Sequence, residues 1–237
     1  MRFFCLDGRQ AKNRFGLLMA ALFVLIGGIW LYEYVDAVAL NYSISQPAKV
    51  PQGEMKLVIK IPDRVLELYD NGVLFKRYRV AVGKRATPTP LGEWNIVYKG
   101  WSPKEIMGTR WMGLDVPWGS YGIHGTSAPW SIGSFASHGC IRMSNHNSEE
   151  LYEWVPVGTP VDIIGPKPGV DRVLRRGSQG TDVVVLQLKL VKLGYYQERA
   201  KGTFGKDTEA ALRAFQRDNR LPETGITDEK TLQLLKL

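Results

Sequence analysis

The stretch VLELYDNGVLFKRYRVAV, residues 65–82, predicts a β-hairpin and sets the fold class of its surroundings. Two runs rich in apolar and β-branched residues, 65–69 and 74–82, flank Asp70-Asn71-Gly72. An Asn-Gly pair between such runs is a strong signal for a tight turn joining antiparallel strands. We therefore predict two neighbouring strands here.

Further strand patterns lie on both sides of this hairpin. Residues 55–61 (MKLVIKI) alternate between apolar and polar, and residues 93–98 (EWNIVY) follow a proline- and glycine-rich turn at 87–92 (TPTPLG). Short strands punctuated by glycine and proline are typical of an antiparallel sheet. The sequence thus predicts a mainly β domain, with an antiparallel sheet, over residues 55–165.

The pattern changes to a helical period after a predicted linker at 166–172. In residues 173–237, apolar residues recur at helical spacing, which predicts three short helices and a small all-α domain. The apolar positions are Val183, Leu186, Leu190 and Leu193, then Ala211, Leu212 and Phe215, then Leu232 and Leu235. We expect Asp182 to cap the first helix and Gly194 to end it, the second to end near Asn219, and the third to begin near Thr227.

Residues 15–32 (FGLLMAALFVLIGGIWLY) are eighteen residues without a charge, close to the ~20 that a membrane-spanning helix needs. Four basic residues and one acid precede them, a bias that keeps residues 1–14 in the cytoplasm. The sequence therefore predicts a transmembrane helix at 15–32, a linker at 33–54, and an extracytoplasmic remainder.

A cleaved signal peptide is the alternative to this anchor, because residues 37–39 (AVA) have the small-x-small pattern of a cleavage site. Cleavage near Ala39 would release the protein to the cell wall. The apolar run is longer than a usual signal core and is followed by Glu33 and Asp36, so the uncleaved single-pass anchor is favoured.

Charge and cysteine count narrow the function classes. The net charge is +8, and much of the positive charge beyond residue 32 lies in residues 173–237. This charge suits an anionic surface such as a cell wall, and a solvated helical surface explains it equally well. The extracytoplasmic location argues against nucleic acid as a partner. Cys5 and Cys140 lie on opposite sides of the predicted membrane helix, so we expect no disulfide.

All three histidines, His124, His138 and His146, lie within 23 residues together with Cys140. Acyl transfer by cysteine needs a thiolate, a base that forms it, and N–H donors for an oxyanion. A neighbouring imidazole is expected to lower the thiol pKa from about 8.5. Gly139 would let backbone N–H groups come close to the reacting carbonyl.

Other interpretations of the same residues are weaker. A single cysteine is often a small buried hydrophobe. A zinc site built from His124, His138 and Cys140 lacks a fourth ligand and paired-cysteine spacing. Residues 119–122 (GSYG) are not the Gly-x-Ser-x-Gly turn of a serine hydrolase.

The sequence resembles the YkuD-type L,D-transpeptidases. His124 is followed after twelve residues by SHGCIR at 137–142, and the resemblance extends over roughly 55–165, including the turn at 87–92 and IHGT at 123–126. It implies Cys140 as acyl-accepting nucleophile and His124 as general acid/base, with no metal or organic cofactor. It also implies an oxyanion and substrate-binding set consisting of Ser137, His138, Gly139, Arg142 and Gly125.

Three of these assignments stay open at this point. Gly125 can orient the histidine base only through its carbonyl, so the orienting partner is unassigned. His138 either contacts substrate or shapes the loop. His146 lies past the motif in a polar stretch and is expected on the surface at a helix start.

Residues 173–237 resemble the three-helix peptidoglycan-binding domain. The resemblance lies in LRRGSQG at 174–180, GTFG at 202–205, AFQ at 214–216 and LPETG at 221–225, most of which are packing or turn residues. It implies peptidoglycan as partner but does not identify the ligand residues.

Together the two resemblances imply a membrane-anchored enzyme of cell-wall organisation. It would cross-link peptidoglycan stem peptides through a cysteine acyl-enzyme. An L,D-carboxypeptidase that uses water as acceptor, and a non-catalytic wall-binding protein, are the alternatives.

Overall fold

The computed structural model describes residues 50–101 and 107–237, together with residues 28, 30, 31, 34 and 35. The chain divides into two compact units, Met1–Val50 and Pro51–Leu237. The five described residues before residue 50 are helical. No helix in the described part is long and apolar enough to span a bilayer. Most of the predicted membrane helix at 15–32 and of the linker at 33–54 lies outside the described residues, so the anchor stays a prediction.

In the first part of the unit Pro51–Leu237, the residues that the structure describes form ten strands and one α-helix. The strands are β1 Met55–Lys60, β2 Val65–Asp70, β3 Val73–Arg79, β4 Val82–Gly83, β5 Gly92–Trp101, β6 Arg110–Leu114, β7 Gly122–His124, β8 Phe135–Ser137, β9 Ile141–Arg142 and β10 Pro160–Ile164. A 3₁₀ turn at Pro129–Ser131 precedes β8, and helix α1, Asn145–Trp154, follows β9.

Eight strands form one sheet in the order β3-β2-β1-β10-β5-β6-β7-β9, while β4 pairs with β8. The prediction of a mainly β domain is confirmed, but the sheet is mixed rather than antiparallel. Strands β1 and β10 pair parallel, as do β7 and β9, and β4 and β8. Parallel pairing needs a long return connection, which short-range hairpin signals cannot reveal.

The hairpin at residues 65–82 is confirmed, with Asp70 paired to Val73 across the Asn71-Gly72 turn. Its second strand ends at Arg79, earlier than predicted, because the chain then crosses to another strand. The Ala81 N–H donates to Arg142 O at 2.7 Å, and the Arg142 N–H donates to Ala81 O at 2.9 Å. These two hydrogen bonds hold the edge of β9 that does not pair with β7.

The core of the sheet domain is apolar, and its largest fully buried side chain is Trp94, on β5. The inward residues of the predicted strands alternate as expected, with Leu57 and Ile59 on β1 fully buried. Ser144 is the N-cap of helix α1, and its side chain accepts a hydrogen bond from Asn147 N. The helix packs on β6.

Three helices follow in residues 173–237: α2 Thr181–Lys192, α3 Lys206–Asp218 and α4 Glu229–Leu235. With α1, residues 50–101 and 107–237 contain four α-helices. The predicted end of α3 near Asn219 is confirmed, and Asp228 caps α4 one residue after the expected start. The predicted cap of α2 is wrong: Gly180 is the N-cap, and Asp182 lies within the first turn, where it pairs with Arg172 at 2.6 Å.

Two buried glutamines hold the loops between these helices. Gln187 on α2 accepts from Gly202 N at 2.8 Å and donates to Thr203 O at 3.0 Å. Gln216 on α3 accepts from Gly225 N at 2.9 Å and donates to Ile226 O. Both side chains are fully buried, so the amides replace the water that these backbone groups would otherwise bind.

We expect Gln216→Met to lower the free energy of unfolding by roughly 1–3 kcal/mol, because the Gly225 N–H loses its acceptor in a buried site. Urea unfolding of the full chain measures this change. Gln233→Met is the matched control, since Gln233 is exposed and its side chain donates to Glu229 on the protein surface. Equal stability of the two variants would contradict the structural role of Gln216.

A second prediction concerns Glu67 on β2, a buried carboxylate that binds Arg77, Lys60 and Tyr69 at 2.8–2.9 Å. The Arg77 hydrogen bond, followed by those of Lys60 and Tyr69, lowers the pKa of Glu67 from 4.5 to about 2. The ionised carboxylate therefore stabilises the fold above pH 4.5, and this contribution is lost as the pH falls toward 2. In thermal unfolding from pH 7 to pH 2, Glu67→Gln should flatten this part of the pH profile, whereas the exposed Glu54→Gln should keep the wild-type profile.

Candidate active site

The parallel pairing of β7 with β9 brings the two halves of the sequence motif together. Ile123 lies opposite Ile141, and His124 lies opposite Arg142. Cys140 directly precedes β9, and its Sγ lies 3.9 Å from Ser120 O, next to the start of β7. Cys140 is free of any disulfide in the described part of the chain. The fold thus gathers His124 and Cys140 at one edge of the sheet.

His124 is held by two backbone carbonyls. Its Nδ1 lies 2.6 Å from Gly125 O and 3.2 Å from Met107 O. Carbonyl oxygens only accept hydrogen bonds, so Nδ1 carries the proton and Nε2 is left as the basic nitrogen. The ring is 2% exposed and stacks on Trp111, with ring centroids 5.3 Å apart.

These contacts assign the orienting partner of the histidine. Gly125 acts through its backbone carbonyl, because glycine has no side chain that could orient the ring. Met107 and Trp111 contribute as well, and sequence reasoning missed both. Met107 acts through its backbone, which no residue pattern marks, and Trp111 is brought to His124 by the pairing of β6 with β7.

Burial sets the protonation of both candidate catalytic groups. It lowers the pKa of His124, with the nearby Arg142 charge acting in the same direction and the two carbonyls opposing it. Burial raises the pKa of the Cys140 thiol, against the Gly122 backbone hydrogen bond and the Arg142 charge. The expectation of a thiol pKa lowered by its imidazole neighbour is therefore wrong. Desolvation of the thiolate outweighs the charges around it.

The turn before Cys140 is held by its own hydrogen bonds. Ser137 Oγ donates to Cys140 O at 2.6 Å and accepts from Gly139 N at 3.1 Å, while Thr87 Oγ1 donates to Ser137 O at 3.2 Å. The turn at 87–92 thus supports the motif. Gly139 has φ +112°, and a Cβ at this position would lie 2.5 Å from the Tyr121 ring, so only glycine fits.

The remaining predicted site residues lie around this centre. His138 is exposed and lines a groove of about 540 Å³ together with Trp118, Tyr121 and Arg172. Arg142 is half-buried beside His124, and its Nε lacks a hydrogen-bond partner among the described residues. His146 is exposed in the first turn of α1, as predicted. The described residues include no group of three His, Cys, Asp or Glu side chains arranged for a metal.

Comparison with known proteins identifies both parts of the chain. Residues 54–163 match the family model described as "L,D-transpeptidase catalytic domain", and residues 179–235 match "Putative peptidoglycan binding domain". The chain is 42% identical over 120 residues to "Putative L,D-transpeptidase YkuD" of Bacillus licheniformis, which covers 51% of this chain and 70% of that protein. This chain belongs to the YkuD-type L,D-transpeptidase family.

Other family members align over shorter stretches. The Bacillus subtilis relative of the same description is 42% identical over 107 residues, covering 45% of this chain and 64% of that protein. A solved structure of an L,D-transpeptidase from Mycobacterium smegmatis is 23% identical, with a TM-score of 0.41, covering 47% of this chain and 59% of that one.

The raised pKa of the Cys140 thiol makes a direct prediction for this family member. Alkylation of Cys140 by iodoacetamide should rise with pH and reach its midpoint above the ~8.5 of a free cysteine. Peptide mass spectrometry of the full chain separates Cys140 from Cys5. Arg142→Gln should move the midpoint further up because it removes a nearby positive charge, while the exposed Arg85→Gln should leave it in place. A midpoint below 8 would contradict a buried neutral thiol.

Proposed function

We propose that this protein is an extracytoplasmic peptidoglycan L,D-transpeptidase that works through a cysteine acyl-enzyme. The observation that carries the proposal is the position of the only thiol beyond the predicted membrane helix. Cys140 lies at the same sheet edge as His124, whose Nδ1 is engaged by two carbonyls and whose Nε2 is available as a base. Family membership supports the same reaction class.

In the first half-reaction, His124 Nε2 takes the proton from Cys140 Sγ as the sulfur attacks a carbonyl. The carbonyl is that of the third, diamino residue of a peptide stem. The tetrahedral intermediate collapses by breaking the amide bond to the terminal D-alanine, and the imidazolium gives its proton to the leaving amine. A thioester on Cys140 and free D-alanine result.

In the second half-reaction, the side-chain amine of another stem attacks the thioester. His124 accepts a proton from that amine and returns one to the departing sulfur. A new amide bond joins the third residues of two stems, and the thiol is restored. Neither half-reaction consumes a reactant other than the two stems.

The proposed mechanism starts from a neutral Cys140 thiol and a neutral His124 imidazole. Because burial disfavours both the thiolate and the imidazolium, the proton moves when the substrate arrives and not before. The oxyanion then needs N–H donors close to Cys140. The Gly139 N–H is engaged by Ser137 Oγ, so the N–H groups of His138 and Cys140 are the proposed donors.

The C-terminal module and the N-terminal segment would determine where the enzyme is held in the cell. Residues 179–235 match a peptidoglycan-binding family, so we propose that they hold the enzyme on its polymer and raise the local substrate concentration. The uncharged run at 15–32 supports a single-pass anchor, with release after cleavage near Ala39 as the alternative.

Incubation of the full chain with tetrapeptide stems tests the mechanism. Mass spectrometry should find loss of D-alanine and an acyl adduct on Cys140. Cys140→Ala should form no adduct, and His124→Ala should slow acylation by on the order of 10²–10⁴-fold because the general base is lost. His146→Ala is the matched control, an exposed histidine that should leave the rate unchanged.

Full activity in Cys140→Ala would overturn the proposal. The products separate the two acyl-enzyme functions: stem dimers indicate a transpeptidase, whereas trimmed monomers alone indicate a carboxypeptidase that uses water.

A further inference from the structure

The C-terminal module packs against the sheet domain along a short strip, residues 199–202. Ala200 in this strip and Val184 on α2 belong to the same buried apolar core as the strands. Beside the strip lies a cleft of about 560 Å³, lined from both sides by residues such as Leu91 and Leu188. Arg199 and Gly202 supply two further contacts between the two parts.

Arg199 makes the polar part of this contact. Its guanidinium reaches Asp115 at 3.3 Å, donates to Glu93 O and lies over the Trp94 ring at 5.9 Å. Asp115 also accepts from Asn95 N at 2.7 Å. A module side chain is thus tied to β5 and to the residue that directly follows β6.

Gly202 makes the apolar part. A Cβ at Gly202 would lie 2.2 Å from Trp118 Cζ3 and 2.7 Å from Val184 Cγ2, so the Trp118 ring lies against the module backbone. The same ring packs edge-on to Trp94, with centroids 5.4 Å apart. Trp118 is therefore clamped between the module and the sheet core.

Asp115 and Trp118 belong to one segment, residues 115–121, which we call the 115–121 loop. It joins β6 to β7 and is closed by the Leu114 N–H donating to Tyr121 O at 2.9 Å. Its far end meets the nucleophile: Ser120 O is 3.9 Å from Cys140 Sγ, and the Tyr121 ring lies against Gly139. The contacts with the module are at one end of the loop and those with Cys140 at the other.

We propose that the C-terminal module positions the active site through this loop, with Arg199 as a positioning residue, in addition to any hold on the wall. The inference rests on the proposed role of Cys140 as nucleophile. Val116 is buried in the sheet core, but Pro117, Gly119 and Ser120 are exposed, so the second half of the loop gains little order from burial of its own. The contacts of Asp115 and Trp118 with the C-terminal module supply that order. The ordered loop in turn holds Tyr121, which lines the groove near Cys140.

The test uses the full chain with a soluble tetrapeptide stem that carries no glycan, so that tethering to the wall cannot contribute. Arg199→Ala should lower kcat/KM for acylation of Cys140 by about 10- to 100-fold, the size expected when a reacting group is displaced by ~1 Å. Arg213→Ala is the matched control, because it breaks a pair of similar exposure with Glu209, at 2.9 Å, within the module. It should leave kcat/KM unchanged.

A second readout is independent of turnover. Loosening of the 115–121 loop should admit water to Cys140, so the midpoint of its alkylation by iodoacetamide should move to lower pH in Arg199→Ala but not in Arg213→Ala. Asp115→Asn should change both readouts in the same direction as Arg199→Ala, and the losses should be less than additive in the double variant, because both variants break the Arg199–Asp115 pair.

Wild-type acylation and alkylation in Arg199→Ala would overturn the inference, as would equal losses in Arg199→Ala and Arg213→Ala. If the wild-type chain forms no adduct with the stem, the proposed function fails instead. The alkylation midpoints still test the positioning in that case.

Discussion

The parallel pairing of β7 with β9 is the constraint on which the rest of the site depends. Ile123 and Ile141 are fully buried opposite each other, and Met143 N donates to His124 O at 2.9 Å. Parallel neighbours cannot be joined by a tight turn, so residues 125–140 must leave the sheet and return. That return places Cys140 beside the strand that carries His124. The bridge from Ala81 to Arg142 then holds β9 from its other side.

Burial at this edge of the sheet shifts the pKa values of His124 and Cys140 in opposite directions. It lowers the pKa of His124 and raises the pKa of Cys140, so it favours the neutral form of each group. Since the thiolate is also the form that oxidants attack, a protonated thiol would suit the extracytoplasmic location that we propose. The carbonyls of Gly125 and Met107 keep the histidine in the tautomer that can take the proton when substrate is bound.

The two parts of the chain are more closely joined than a linker at 166–172 suggests. Proline and glycine in that stretch predict a linker, and Arg199, Ala200 and Gly202 beyond it pack on the sheet domain within one compact unit. The 115–121 loop lies between this interface and Cys140. The domain boundaries, the membrane anchor and the roles of the site residues stay predictions, while the family and the mainly β fold are established.

Local patterns in the sequence determined what short-range physics controls. Neighbouring residues alone predicted the Asn71-Gly72 hairpin, the alternation in β1, the period and C-terminal end of α3, and the His124 and Cys140 motif. Tertiary structure decided the parallel pairings, the Met107 and Trp111 contacts to His124, and the docking of Arg199. It also decided the thiol pKa, because desolvation depends on everything packed around a group and not on its neighbours in sequence.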